Sequence, residues 1–413
     1  MRMIYCIAIY VYLSAIHLAA QFNRKARLWV EGRKGWREGL ALQLANTGER
    51  PVVWIHCASL GEFEQGRPII EGLKARRPDT FILLTFFSPS GYEIRKNYPY
   101  ADAVAYLPGD TPRNARDFLE IVRPKLVIFV KYEFWFNLLS GIHRKDVPAL
   151  LISARFRPGQ VFFRTYGAWF RRQLKAFNTI FLQEGISPAQ AESLDVPCQV
   201  TGDTRVDRVL GIISENRVFP EIAGFCNGQP ILIAGSTWPP DEALIAKLVQ
   251  QPCFEGWKLI IAPHDVSPKR LTALEAKIRL PACRHSALRR GEGPHHARML
   301  VIDHVGMLSA LYRYGHLAYI GGAFGSGLHN ILEPIAFRLP VIFGPRYDKF
   351  PEAVSLLKTG GATSVRHPQG LITAFTHWSE EGQRNTAAQL AFRYVRENSG
   401  ASAFILEEIE KLL

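Results

Sequence analysis

From residue 50 onward, short runs of β-branched and aromatic residues recur along the chain, separated by amphipathic or polar stretches of helical spacing. The runs cover 52–56, 81–87, 126–130, 149–153, 179–183 and 199–201. Such alternation predicts a parallel, doubly wound sheet. A loosely patterned stretch, 203–229, interrupts it, and a second series follows at 231–234, 258–262, 299–302, 317–320 and 341–343. The expected organisation is α/β: a Rossmann-like domain over 23–210, a linker over 211–228 and a second Rossmann-like domain over 229–413. The length of 413 residues agrees, since single cores stop growing at about 250–300 residues.

Ahead of this pattern stands a different one. Residues 3–20 are an almost continuous apolar run of membrane-spanning length, with no small-residue cleavage site before the next polar stretch. Arg2 precedes the run, and Arg24, Lys25, Arg27, Arg33, Lys34 and Arg37 follow it, so the positive-inside rule puts the body of the protein on the cytoplasmic side. Residues 1–22 read as an N-terminal membrane anchor, with an interfacial helix or a buried first helix of the domain as the alternatives. Trp29 and Trp36 among these cations suit the headgroup region.

A formal charge of +13 favours an anionic partner: nucleic acid, a phosphate-rich substrate or an anionic membrane. The cations are dispersed over both domains without a basic and aromatic stacking platform, which speaks against nucleic acid. Six scattered cysteines with no CxxC pair argue against a disulfide framework or a zinc site. No Asp-x-Asp pair occurs, so leaving-group charge has to be met by helix N-termini and by Lys or Arg. Two Rossmann-like domains facing across a cleft form the GT-B layout, shared by nucleotide-sugar transferases, epimerases and phosphorylases.

In doubly wound sheets ligands bind beyond the carboxyl ends of the strands, and four loops there are unusual. In the first, 56–66, Glu62 follows Ser59 and Gly61 at a helix start, where the dipole favours a carboxylate able to take a proton from a bound hydroxyl; a plain first-turn glutamate has the same spacing. In the second, Gly235, Ser236 and Thr237 precede Pro239 and Pro240, which suits either phosphate binding at free backbone N–H groups or ordinary capping. In the third, Pro263 and His264 end a strand, with Lys269 and Arg270 close behind. The fourth, 321–334, is rich in glycine and places Asn330 and Glu333 one turn apart, where a carboxylate can accept from a ribose diol; tight packing is the structural alternative.

The ordered set HCASLGE (56–62), TFFSPSGYE (85–93), KYEFWFN (131–137), SARF (153–156), VTGDTRVDRV (200–209), GST (235–237) and GLHNILEP (327–334) resembles the 3-deoxy-D-manno-octulosonic acid (Kdo) transferases over nearly the whole chain. The resemblance implies a GT-B, inverting, metal-independent glycosyltransferase without a cofactor, moving Kdo from CMP-Kdo to a lipid A precursor in lipopolysaccharide assembly. It would act at the cytoplasmic face of the cell inner membrane, against an anionic leaflet. It further implies Glu62 as the base, and Ser59, Gly61 and Glu133 on the acceptor side. CMP contacts fall at Pro263, His264, Val305, Gly306, Met307, Asn330, Ile331, Leu332 and Glu333, with Ser236 and Thr237 at the phosphate or the Kdo carboxylate. Two departures stand out. Many members have an arginine between the proline and histidine of the third loop, absent here, and Gly-Glu where this chain has Gly306 and Met307. Lys269, Arg270 and Arg346 are the candidates to replace the missing cation. The rival readings are a GT-B enzyme acting on a uridine nucleotide, and a basic membrane-tethered binding module.

Overall fold

A computed structural model describes the whole chain except Asn216, Pro294, His295 and Ser326. Asn216 falls in the expected linker and Ser326 in the glycine-rich turn; both lie outside the described residues. The chain divides into two units, Met1–Arg208 with Ser399–Leu413, and Val209–Asn398.

The first unit holds seven parallel strands: β1 (Val52–Cys57), β2 (Phe81–Phe86), β3 (Ala103–Tyr106), β4 (Leu126–Val130), β5 (Ala149–Ala154), β6 (Thr179–Leu182) and β7 (Cys198–Val200), in spatial order 3-2-1-4-5-6-7. Every residue of β1, β2, β4 and β5 is buried, because helices cover both faces of a parallel sheet. The strand order reverses between β1 and β4, which are hydrogen-bonded neighbours.

The second unit repeats the plan with β8 (Ile231–Thr237), β9 (Lys258–Pro263), β10 (Ala282–Arg284), β11 (Met299–Val301), β12 (Leu317–Ile320), β13 (Val341–Phe343) and β14 (Ala362–Ser364), in order 10-11-9-8-12-13-14. Its order reverses between β8 and β12.

Three strands were not expected from the sequence: β3, β10 and β14. Each is an edge strand of three or four residues, too short to carry a periodic signal. The two units also differ from the expected 23–210, 211–228 and 229–413. The helix Thr204–Ser214 runs through the first boundary, and Pro220–Cys226 is helical within the expected linker. The last helix, Ala401–Leu412, packs on the first unit rather than the second. Its Ile405, Leu406 and Ile409 join the core of Val53, Ile55, Ile69 and Ile70, and Asp207 accepts from the backbone N–H groups of Gly400 (2.6 Å) and Ser402 (2.7 Å) at its start.

At the other end, helix α1 (Arg2–Ala19) has one docked face and one bare face. Tyr5 donates to Asp110 at 2.6 Å, Ile9 is buried, and a Cβ on Gly109 would meet Leu13 at 2.6 Å. Met3, Ile4, Ile7, Tyr10, Val11 and Leu18 are exposed. The helices α2 (Arg24–Glu31) and α3 (Trp36–Leu44) follow, and between them Arg33 is buried with no carboxylate partner among the described residues. Its guanidinium donates to the carbonyls of Trp29, Phe87 and Leu107 and lies 3.7 Å from the Trp29 ring centroid; burial pulls its pKa down to about 9.

Candidate active site

In the first unit the chemistry gathers where β1 and β4 end. After β1, Ser59 caps helix α4 (Leu60–Arg76), accepting from Gly61 N–H at 3.2 Å, and its hydroxyl donates to the Glu62 carboxylate. Glu62 is half-buried and Gly61 exposed, so the carboxylate is reachable from solvent at the first turn of the helix. After β4, Lys131 adopts a left-handed conformation (φ 70°), which turns the chain sharply and delivers Glu133.

Glu133 is held by two donors, His56 Nε2 at 3.1 Å and Trp135 Nε1 at 2.5 Å. A carboxylate only accepts, so His56 carries its proton on Nε2, and its Nδ1 accepts from the Thr85 hydroxyl at 2.8 Å. Thr85 in turn accepts from Trp54 Nε1 at 2.8 Å. A chain of donors from the sheet interior thus ends on Glu133. His56 was not singled out from sequence; a histidine inside an apolar strand reads as core. Cys57 lies beneath both carboxylates: burial first, then the charges of Glu62, Glu133 and Glu64, push its thiol well above the ordinary range. Beside Glu133, a groove of 490 Å³ is lined by Tyr132, Phe134, Trp135 and Phe162, with Tyr5 and Ile9 of α1 on its wall.

In the second unit the β8 and β12 ends are stapled together by Asp241. Its buried carboxylate accepts from Trp238 N–H (2.9 Å), Gly322 N–H (3.1 Å) and Tyr319 O–H (2.9 Å). A Cβ on Gly321 would come 2.4 Å from the Ser236 carbonyl, and Gly322 has φ 94°. These two glycines therefore answer to packing within the protein, the structural alternative raised above. Thr237 is buried with its hydroxyl on Glu242 at 3.3 Å, which leaves Ser236, left-handed at φ 52°, as the accessible hydroxyl of the pair.

Above this staple Trp238 stacks on His264 (4.4 Å between centroids), His264 stacks on His329 (5.0 Å), and Trp238 Nε1 donates to His329 at 3.2 Å. Burial first, and then His264, lower the His329 pKa. Neither Trp238 nor His329 was singled out from sequence. Pro263 is buried and His264 exposed. Of the candidate replacement cations, Arg270 is taken by the buried Glu242. Lys269 is exposed, and Arg346 donates to the Gly325 carbonyl at 2.7 Å on the glycine-rich turn.

Asn330 does not lie on a helix face with Glu333 as expected. The helix begins at Leu332, and Asn330 precedes it, accepting from Leu332 N–H while its amide donates to Glu333 at 3.0 Å. The side chains of Ile331, Leu332 and Met307 are buried, so these residues offer a ligand backbone only. Val305 is 80% exposed and Gly306 has φ 96°.

A family model described as 3-deoxy-D-manno-octulosonic-acid transferase (kdotransferase) matches residues 34–208. The chain is similar to the 3-deoxy-D-manno-octulosonic acid transferase of Haemophilus influenzae, 26% identical over 87% of each chain. It is 28% identical to that of Aquifex aeolicus, over 79% of this chain and 85% of the relative. Among solved structures, the UDP-GlcNAc 2-epimerase of Neisseria meningitidis aligns with a TM-score of 0.60 at 14% identity, covering 87% of this chain and all of that one. At that identity the likeness is one of fold, and the two Rossmann-like units are of the GT-B type.

Proposed function

We infer that this chain, which belongs to the Kdo transferase family, moves Kdo from CMP-Kdo to a phosphorylated lipid A precursor with inversion, using Glu62 as the base. The observation that carries this reading is the reachable Glu62 carboxylate at the strand-order reversal of the first sheet, with Glu133 held on the neighbouring strand end. Glu62 takes the proton of an acceptor hydroxyl as its oxygen attacks the anomeric carbon of Kdo. The bond from that carbon to the phosphate oxygen breaks, and its electron pair leaves on CMP. Glu133, fixed by His56 and Trp135, accepts from acceptor hydroxyls and orients them. Within the second unit, Arg346, Ser236 and the N-terminus of the helix Pro239–Leu248 are the groups suited to the phosphate of CMP.

The bare apolar face of α1 and the cations of 24–37 support attachment to the cytoplasmic face of an anionic membrane. Because α1 is docked along one side by Tyr5, Ile9 and Leu13, it lies against the membrane surface in this reading.

The test is product mass after incubation with CMP-Kdo and a tetra-acylated lipid A precursor. Wild type is expected to add the Kdo increment and Glu62→Gln to lose roughly 10²–10⁴-fold in rate. Wild type that neither adds Kdo nor releases CMP would move the reading to a uridine nucleotide. Arg346→Ala is expected to raise the donor KM roughly tenfold without changing the acceptor KM, and equal donor constants would return Lys269 as the replacement cation.

A further inference from the structure

Beyond the ends of β10 and β11 lies a cavity of 450 Å³. Its lining includes Phe219, His285, His304, Val305, Gly306 and Met307. Three of these are the turn assigned above to the nucleotide, whereas Phe219 and both histidines were passed over in the sequence. Phe219 lies in the stretch expected to be a linker.

The histidines form a directional chain. Glu221 at neutral pH only accepts, so the 3.2 Å contact to His285 Nε2 places a proton on that nitrogen. Burial lowers the His285 pKa, which keeps the ring neutral and leaves a lone pair on Nδ1. That lone pair accepts from His304 Nε2 at 3.0 Å. His304 therefore carries a proton on Nε2, and in its neutral form a lone pair on Nδ1. This last nitrogen is buried and has no hydrogen-bond partner among the described residues. The arrangement is braced from below by Asp303, which accepts from the backbone N–H of Ser286 at 3.1 Å and from its hydroxyl.

A buried acceptor without a donor is unfavourable, and a ligand that brings a donor to it gains accordingly. Cytosine presents an exocyclic amine at its 4-position, where uracil presents a carbonyl oxygen. The amine satisfies the lone pair; the carbonyl would set two acceptors against each other. We propose that His304, oriented by the chain from Glu221 through His285, is the residue that makes the donor site choose cytosine over uracil. This rests on the donor being a cytidine nucleotide and deepens that reading. It assigns base choice to a histidine beside the turn where many family members carry Gly-Glu and this chain carries Gly306 and Met307.

The test is equilibrium binding of CMP, UMP and the monophosphate of 2-pyrimidinone riboside, which has hydrogen in place of the amine, to the full-length protein. Wild type is expected to bind CMP roughly tenfold more tightly than either of the others. His304→Ala is expected to bring all three together while the protein stays folded, with a thermal midpoint lowered by the loss of the donor to His285 Nδ1. A pyrimidinone nucleotide that binds wild type as tightly as CMP overturns the proposal without any variant. So does a His304→Ala protein that is folded and keeps the CMP preference. Wild type that binds no CMP would instead sink the reading of the donor itself.

Discussion

His56 is fully buried in β1, so both its ring nitrogens must be satisfied inside the protein, and the partners lie on opposite sides: Thr85 at Nδ1 and Glu133 at Nε2. Its role is to position Glu133, since it meets no substrate itself. His56→Phe keeps the ring and removes the donor, leaving Glu133 to Trp135 alone. The acceptor KM is expected to rise roughly tenfold while the donor KM stays put, a split that steady-state kinetics with each substrate varied would reveal. Equal changes in both constants would mark a merely structural histidine. The same residue shows where sequence reading stops. From spacing alone Glu62 reads equally as a plain first-turn glutamate, and it is the ordered motifs shared with the Kdo transferases that single out Glu62 and Glu133. The chain from Trp54 to Glu133 joins residues 31 and 77 positions apart, and only strand pairing brings them together. Thr237 and Asn330 have the residue types for ligand contact, but Thr237 is turned inward onto Glu242 and Asn330 sits ahead of the helix that starts at Leu332, local placements that residue type alone does not reveal.

Among the elements, the central strands were legible because a strand buried on both faces must be apolar throughout, and an uninterrupted run of five or six such residues stands out. The edge strands β3, β10 and β14 lack that length, and the return of the helix Ala401–Leu412 to the first unit leaves no local trace. Gly72 records that return: a Cβ there would lie 2.4 Å from Leu406 Cδ1. Gly72→Val should cost about 1–3 kcal/mol by overpacking, and adding Leu406→Ala should recover part of it, read from denaturant midpoints in a double-mutant cycle. Asp110 offers a second test. Burial pushes its carboxyl up to about 7 even though Tyr5 O–H, Asn137 N–H and Leu138 N–H all donate to it. Between about pH 4, where the unfolded carboxyl titrates, and pH 7, the folded protein holds a proton that the unfolded chain has lost. Stability therefore falls as pH rises through that window. Asp110→Asn should flatten this dependence, so that the stability of the variant relative to wild type rises from pH 5 to pH 8.

For the molecule as a whole, a charge of +13 and the bare face of α1 act together in the proposed membrane attachment. The two contributions separate by salt. Flotation with anionic vesicles should weaken as ionic strength rises from roughly 0.05 to 0.5 M, because exposed charges are screened beyond a Debye length of about 10 Å at 0.1 M. Removal of the exposed apolar residues by Ile4→Ser and Ile7→Ser should weaken it at every salt concentration. Retention by neutral vesicles unaffected by those two changes would count against α1 as the attachment.

The last helix has a consequence for biosynthesis. On the ribosome the first unit emerges first, yet Ile405, Leu406 and Ile409, which close its core, are translated only after the second unit. The unit that carries Glu62 is thus begun early and finished late, after all of the second unit has been made. A nascent chain holds the apolar face of α4 uncovered for most of its synthesis, and a product that terminates anywhere before residue 399 keeps it uncovered for good. Completion of the first core therefore waits on translation of the whole second unit.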